Sequence, residues 1–153
     1  MRATLLLMLA LGCATGAANS GTVTFKSMAN AAARPVSFSV GQGRVVGSDL
    51  DIREADGCIR GNWGRIPLDF CRDDKGSGPE QHWAGSSGQF SVVPEEKAVT
   101  VSGALILDTG RAVSMDQRIP YGEGAPWVEL RRHPALLAVA ATAADLQAAG
   151  LSR

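Results

Sequence analysis

Between residues 45 and 71 apolar and polar side chains alternate, a period of two that belongs to half-buried β-strands. Two turn signals divide this stretch. Asp56-Gly57 suits a type I′ hairpin, and Gly64-Arg65 suits a type II′ hairpin with Gly at its first central position. The first turn sets Ile52 opposite Gly61 and Leu50 opposite Trp63. The second sets Trp63 opposite Ile66, Gly61 opposite Leu68 and Ile59 opposite Phe70, so one face is apolar. On the other face Asn62 meets Pro67, Arg60 meets Asp69, and Cys58 meets Cys71. Counted from the turn, the two cysteines form a non-hydrogen-bonded pair, with Cα atoms about 4.5 Å apart. That spacing is within disulfide reach. Arg53 opposes Arg60, a repulsion that Asp51 and Asp69 would have to offset. The missing N–H of Pro67 points away from this partner, which predicts an edge or a bulge on the far side of its strand. Residues 45–71 thus read as a three-stranded meander.

A second meander is expected over 89–117. A loop from Pro94 to Lys97 would set Val92 opposite Val99 and Phe90 opposite Val101. A three-residue turn at Asp108-Thr109-Gly110 would set Leu105 opposite Val113 and Gly103 opposite Met115. Phe90, Val92, Val99, Val101, Leu105, Leu107 and Val113 then face inward. Further strands are expected near 21–26 and 36–40. Residues 72–88 read as a Gly/Ser-rich loop anchored by Trp83. The pattern changes at Pro134, which suits a first helical position. Residues 134–148 are rich in Ala and Leu, and Gly150 is a natural stop. A helix with so little polar face should pack on the sheet or plug a barrel end, and it is too short to span a membrane. The fold class is therefore mostly β: antiparallel meanders forming a small β-sandwich or barrel, with one C-terminal α-helix.

The first residues stand apart. Arg2 precedes an apolar run from Leu5 to Leu11, and Gly12, Cys13, Ala14, Thr15, Gly16, Ala17 and Ala18 follow. A basic start, a short apolar stretch and small residues make a secretory signal. The stretch Leu9-Ala10-Leu11-Gly12-Cys13 resembles a bacterial lipobox, which implies lipidation of Cys13 and membrane anchoring through that lipid. In the usual order Leu comes first and a small residue second, so Ala10 and Leu11 depart from the pattern. Cleavage after Gly16 or Ala18 satisfies the small-x-small rule equally. The expected division is 1–18 as signal peptide and short spacer, and 19–153 as a single exported β domain with the helix 134–148. Its place is the periplasm, the outer membrane as an attached lipoprotein, or the medium. Of three cysteines, Cys58 and Cys71 remain as an even pair in an exported chain, where disulfides persist.

Composition narrows the function classes. In 153 residues, Lys+Arg and Asp+Glu both number 15, and no run of five like charges occurs. That balance lacks the basic footprint of a nucleic-acid binder. The 18 glycines follow no strict period and predict turns and bulges, and Gly61, Gly88 and Gly103 fall on apolar faces. Chemistry-bearing residues are few. His82 lies beside Trp83 and near Glu80, which makes it the one weak candidate for a functional residue. His133 precedes Pro134 and reads as a cap or surface residue. Asp49, Asp51, Glu54 and Asp56 do not fit a calcium loop, whose sixth position is Gly, and read as a solvated face. Gly85-Ser86-Ser87-Gly88 is not a nucleophile elbow. Trp63, Trp83 and Trp127 read as core or rim anchors. No catalytic residue, metal or cofactor is expected. The expected function is a non-enzymatic binding or structural role at the bacterial cell envelope, toward an unknown protein or small-ligand partner. The alternatives are a β-barrel carrier of small apolar ligands and an enzyme of unknown class.

Overall fold

Among the described residues eleven strands follow one another in a single antiparallel sheet. The structure is a computed structural model and describes residues 19–27, 30–73, 76 and 78–150. The expected signal and spacer, with Cys13, lie outside these residues. The strands are β1 (Gly21–Phe25), β2 (Val36–Gly41), β3 (Arg44–Val46), β4 (Leu50–Ala55), β5 (Cys58–Trp63) and β6 (Ile66–Asp73). They continue as β7 (Gln81–Gly85), β8 (Gly88–Pro94), β9 (Ala98–Ile106), β10 (Ala112–Ser114) and β11 (Gln117–Pro120). Two helices close the fold, α1 (Ala125–Arg132) and α2 (Pro134–Ala148). The class is as expected: mostly antiparallel β with a C-terminal helix. The two sheets of a sandwich are not formed, because strands β1 to β10 pair in chain order and one continuous open sheet results. Helix α1 is an addition to the expected elements.

The register of β4, β5 and β6 is the one the turns dictate. Leu50 pairs with Trp63, Ile59 with Phe70, Arg60 with Asp69 and Cys58 with Cys71. The cysteines form a disulfide with Cα atoms 4.0 Å apart. Arg53 does oppose Arg60, and acids flank the pair: Arg44 holds Asp51 at 2.6 Å and Arg60 holds Asp69 at 3.2 Å. The far side of β6 is interrupted where Pro67 required it. β7 joins β6 only through Cys71–Asp73, and the buried Ser87 hydroxyl fills the gap beyond. It accepts from the Asp69 N–H at 2.8 Å and donates to the Pro67 carbonyl at 3.2 Å.

Two expectations are corrected in the second half. Residues 81–85 are strand β7, not loop, since exposed His82 and Ala84 flank a Trp83 that is buried in the sheet. Ser86-Ser87 is the turn of a hairpin in which Gly85 meets Gly88. The β8–β9 register is also displaced by two residues: Val92 pairs with Val101, Pro94 with Val99 and Phe90 with Gly103. An even shift keeps the same residues inward, so alternation cannot distinguish the two registers. The turn closes through the Glu95 N–H on the Ala98 carbonyl at 2.8 Å. Gly103 makes the observed register possible, because a Cβ there would lie 2.5 Å from Phe90 Cα, and its φ is +142°. Leu105 pairs with Val113 as expected. β10 and β11 then lie in tandem along β9, separated by a step at Met115-Asp116 where the Asp116 carboxylate accepts the Gly103 N–H at 2.9 Å.

The sheet curls around α2. Strands near its start (β1 to β4) and near its end (β8, β9) all touch this helix. Twelve of its residues are buried on all sides, among them Leu136, Leu137 and Val139. A helix apolar all round belongs in an interior. Its many alanines let strands approach closely, and the Thr142 hydroxyl is satisfied by the Ala138 carbonyl at 2.9 Å. Phe70, Phe90 and Trp83 pack against one another beneath the disulfide-bearing half of the sheet.

Candidate functional site

Helix α2 fills the inside of the curl, and among the described residues three surface places gather chemistry-bearing side chains. The first is the seam of the curled sheet. Among the described residues β1 pairs with β2 alone, and β11 pairs with β9 alone, so each presents a free edge. The gap between them is a cleft of about 320 Å³. Phe25, Ile119, Tyr121 and Trp127 line it, and Ala141 and Asp145 of α2 form its floor. Trp127 stands edge-on to Phe25, with ring centroids 6.0 Å apart. The Arg131 guanidinium lies 4.9 Å over the Tyr121 ring, and burial pushes the Tyr121 phenol above its ordinary pKa. A second cleft of about 320 Å³ continues along the seam past Val113, Met115 and Leu146 and shares Gln117 and Asp145 with the first. Arg118 on this rim is engaged by Glu95 at 2.8 Å. The Thr100 hydroxyl and then Arg118 hold the Glu95 carboxyl below the usual range.

The second place surrounds His82. Cross-strand register aligns Asp73, His82, Ser91 and Ser102 in one row over β6 to β9. All four line an open depression of about 400 Å³. His82 is half exposed, and its Nε2 lies 3.8 Å from Glu80. The row was hidden from sequence reasoning because β7 was read as loop, and register alone assembles it.

The third place joins the two helices to the sheet. His133 ends α1 and begins α2. Its Nδ1 is 3.3 Å from Glu54 and its Nε2 is 3.5 Å from Glu129. The Glu129 carboxylate, itself buried, accepts the Gly43 N–H of the β2–β3 turn at 2.7 Å. Glu54 beside His133 holds the imidazolium above its ordinary pKa, with Glu129 adding to this while burial and Arg132 oppose it. Glu54 is therefore not part of a solvated face. It shares the parity of Leu50 and Ile52 and points inward at the end of β4, a signal present in the alternation itself. Glu129 had no such signal, since α1 was not expected. None of the three clefts includes this clasp.

Of the sequence-derived site residues, Cys58 and Cys71 are joined, His82 lies in the polar row, and Cys13 is outside the described residues. Gly61, Gly88 and Gly103 open no cavity, because each carries a neighbouring strand close against its Cα. Among the described residues no group of three or more His, Cys, Asp and Glu is arranged to hold a metal ion, and no helix is long and apolar enough to cross a membrane. No protein-family model matches the chain, and neither a curated protein nor a solved structure matches it.

Proposed function

We propose that the chain is an exported, non-enzymatic domain of the bacterial cell envelope, that its role is to bind, and that the seam is its contact surface. The observation that carries this reading is the helix-filled interior combined with an aromatic-lined cleft at the sheet's open seam. Binding sites are concave, mostly apolar and furnished with few polar groups, and the seam is of that kind. The buried α2 stands where a barrel carrier would enclose its ligand, which favours a contact at the surface. The Cys58–Cys71 disulfide agrees with an oxidising compartment. Lipid on Cys13 would tether the domain to a membrane and leave the seam free to meet a partner.

The test is to express the full chain in a bacterial host, fractionate the cells and measure the intact mass of the processed protein. Recovery from the envelope with either an acylated Cys13 start or cleavage after Gly16 or Ala18 supports export. Recovery from the cytoplasm with residues 1–18 retained overturns it.

A second reading, an enzyme, draws on the row Asp73–His82–Ser91, an acid, a base and a hydroxyl in order. The depression is wide open, so nothing there excludes water from a reacting group. Turnover of an ester or amide substrate panel that is lost in both His82→Ala and Ser91→Ala would establish this reading in place of the first.

A further inference from the structure

We propose that the Cys58–Cys71 disulfide is a thiol-exchange site, which opens to an external thiol while the sheet stays folded and releases Cys71 as its thiolate. This inference concerns a different face from the seam and does not rest on the binding reading.

The place of the bond in the sheet is the first argument. β5 and β6 already close through the Gly64-Arg65 turn and pair from Trp63 and Ile66 out to Cys58 and Cys71. The disulfide sits at the far end of that ladder, opposite in parity to the buried Ile59 and Phe70, and so on the outer face. Both cysteines are partly exposed. Reduction therefore uncovers no core residue, and the two redox states can share one fold.

Access is the second argument. In the cross-strand row Ala55–Cys58–Cys71–Ala84, an exposed alanine flanks the sulfurs on either side. A Cβ built on Gly57, next to Cys58, would meet nothing within 4 Å. A thiolate displaces one sulfur of a disulfide from the side away from the other. For Cys58 that is the β4 side, where the small Ala55 leaves the approach open.

The two sulfurs differ, which sets the direction of the exchange. Arg60 Nη2 donates to Cys71 Sγ at 3.7 Å, while its Nε donates to the Asp69 carboxylate at 3.2 Å. A cation beside a sulfur stabilises its thiolate and makes it the better leaving group. Arg53 on β4, Asp69 and Asp73 along β6 and His82 on β7 share this face. Arg60 alone is bonded to a sulfur among the described residues.

An external thiolate attacks Cys58 Sγ. Its sulfur bonds to that of Cys58, the Cys58–Cys71 bond breaks, and the electron pair leaves on Cys71. A second external thiolate then attacks the external sulfur of the mixed disulfide and frees Cys58. Two external thiols are thereby oxidised to one disulfide, and their two electrons and two protons pass to the two cysteines.

The experiment incubates the folded, processed chain with reduced glutathione, quenches in acid and maps adducts by peptide mass spectrometry. Glutathione should be found on Cys58 and not on Cys71, while the far-ultraviolet spectrum stays native. Arg60→Met should slow reduction about threefold and spread the adduct over both cysteines. Asp69→Asn breaks the same ion pair but keeps the guanidinium at the sulfur, and should leave the adduct on Cys58. In Cys58→Ala, the pH midpoint of Cys71 alkylation should lie about one pH unit below the ordinary thiol value of about 8.5, and adding Arg60→Met should restore it. A dithiol protein of the Cys-x-x-Cys class is run beside glutathione. Reduction by either donor supports the inference, and the faster one tells a protein donor from a free thiol. The inference is overturned if the disulfide resists both donors until the chain unfolds, if wild-type adducts divide equally between the two cysteines, or if Arg60→Met leaves the Cys71 midpoint unmoved. None of these failures touches the binding reading.

Discussion

Ser87 shows how much one hydroxyl can settle. It sits in a two-residue turn, where a serine invites a nucleophile reading, yet it is buried and serves β6 at Asp69 and Pro67. Ser87→Ala leaves that N–H and that carbonyl without a partner, and a loss of about 1–3 kcal/mol is expected in urea unfolding. The need for such a plug was legible in Pro67, whose ring forbids a continuous ladder. Which side chain supplies it was not, because it comes from a hairpin some twenty residues away. His133 makes the complementary point. As a residue before a proline it reads as a cap, and that is half its role. Its clasp on Glu54 and Glu129 depends on an α1 that the pattern did not announce. Glu54 raises the folded-state pKa of His133, so the protonated form stabilises the fold. That contribution is complete below the unfolded value near 6.5 and is lost as pH rises through the higher folded value. Unfolding free energy measured from about pH 6 to about pH 9 should therefore fall in the wild type and stay flatter in His133→Gln.

At the scale of elements, two-residue turns determined what could be read. Asp56-Gly57 and Gly64-Arg65 leave one register each, and β4 to β6 pair as they demand, down to the disulfide. The connection after Pro94 admits several lengths, and an even slip there leaves the apolar face unchanged. Gly103 decides between them, since only glycine tolerates Phe90 pressed against it at that φ. Gly103→Ala is expected to cost more than about 2 kcal/mol, seen as a lowered denaturation midpoint. β7 was missed for a related reason: the glycines and serines at its end suggested loop, and they turned out to make its tight turn. The disulfide spans a separation of 13 residues across an already well-formed hairpin. Reduction should lower stability by up to about 3 kcal/mol while the far-ultraviolet spectrum stays native, because the ladder beneath it does not depend on the bond.

For the molecule as a whole, the sheet has one interior and α2 occupies it. The helix was legible to its boundaries, since its start at Pro134 and the Gly150 stop both stand in the chain. Its position inside the curl was not, because an apolar helix fits equally well at a barrel end. The seam was invisible for the same reason, as alternation marks faces and says nothing of which edges stay apart. A chain ending at His133 is expected to show no cooperative unfolding transition by calorimetry, since the inner sheet face would have nothing to cover it. The order of elements then acquires a meaning in time. All eleven strands precede α2 along the chain, and none can bury its inner side until the helix arrives. A ribosome that delivers this chain N-terminus first therefore handles unfolded strands until α2 has emerged. Helix α2, which follows every described strand, acts as the trigger for folding, and under the proposed export that order would keep the strands unfolded during passage.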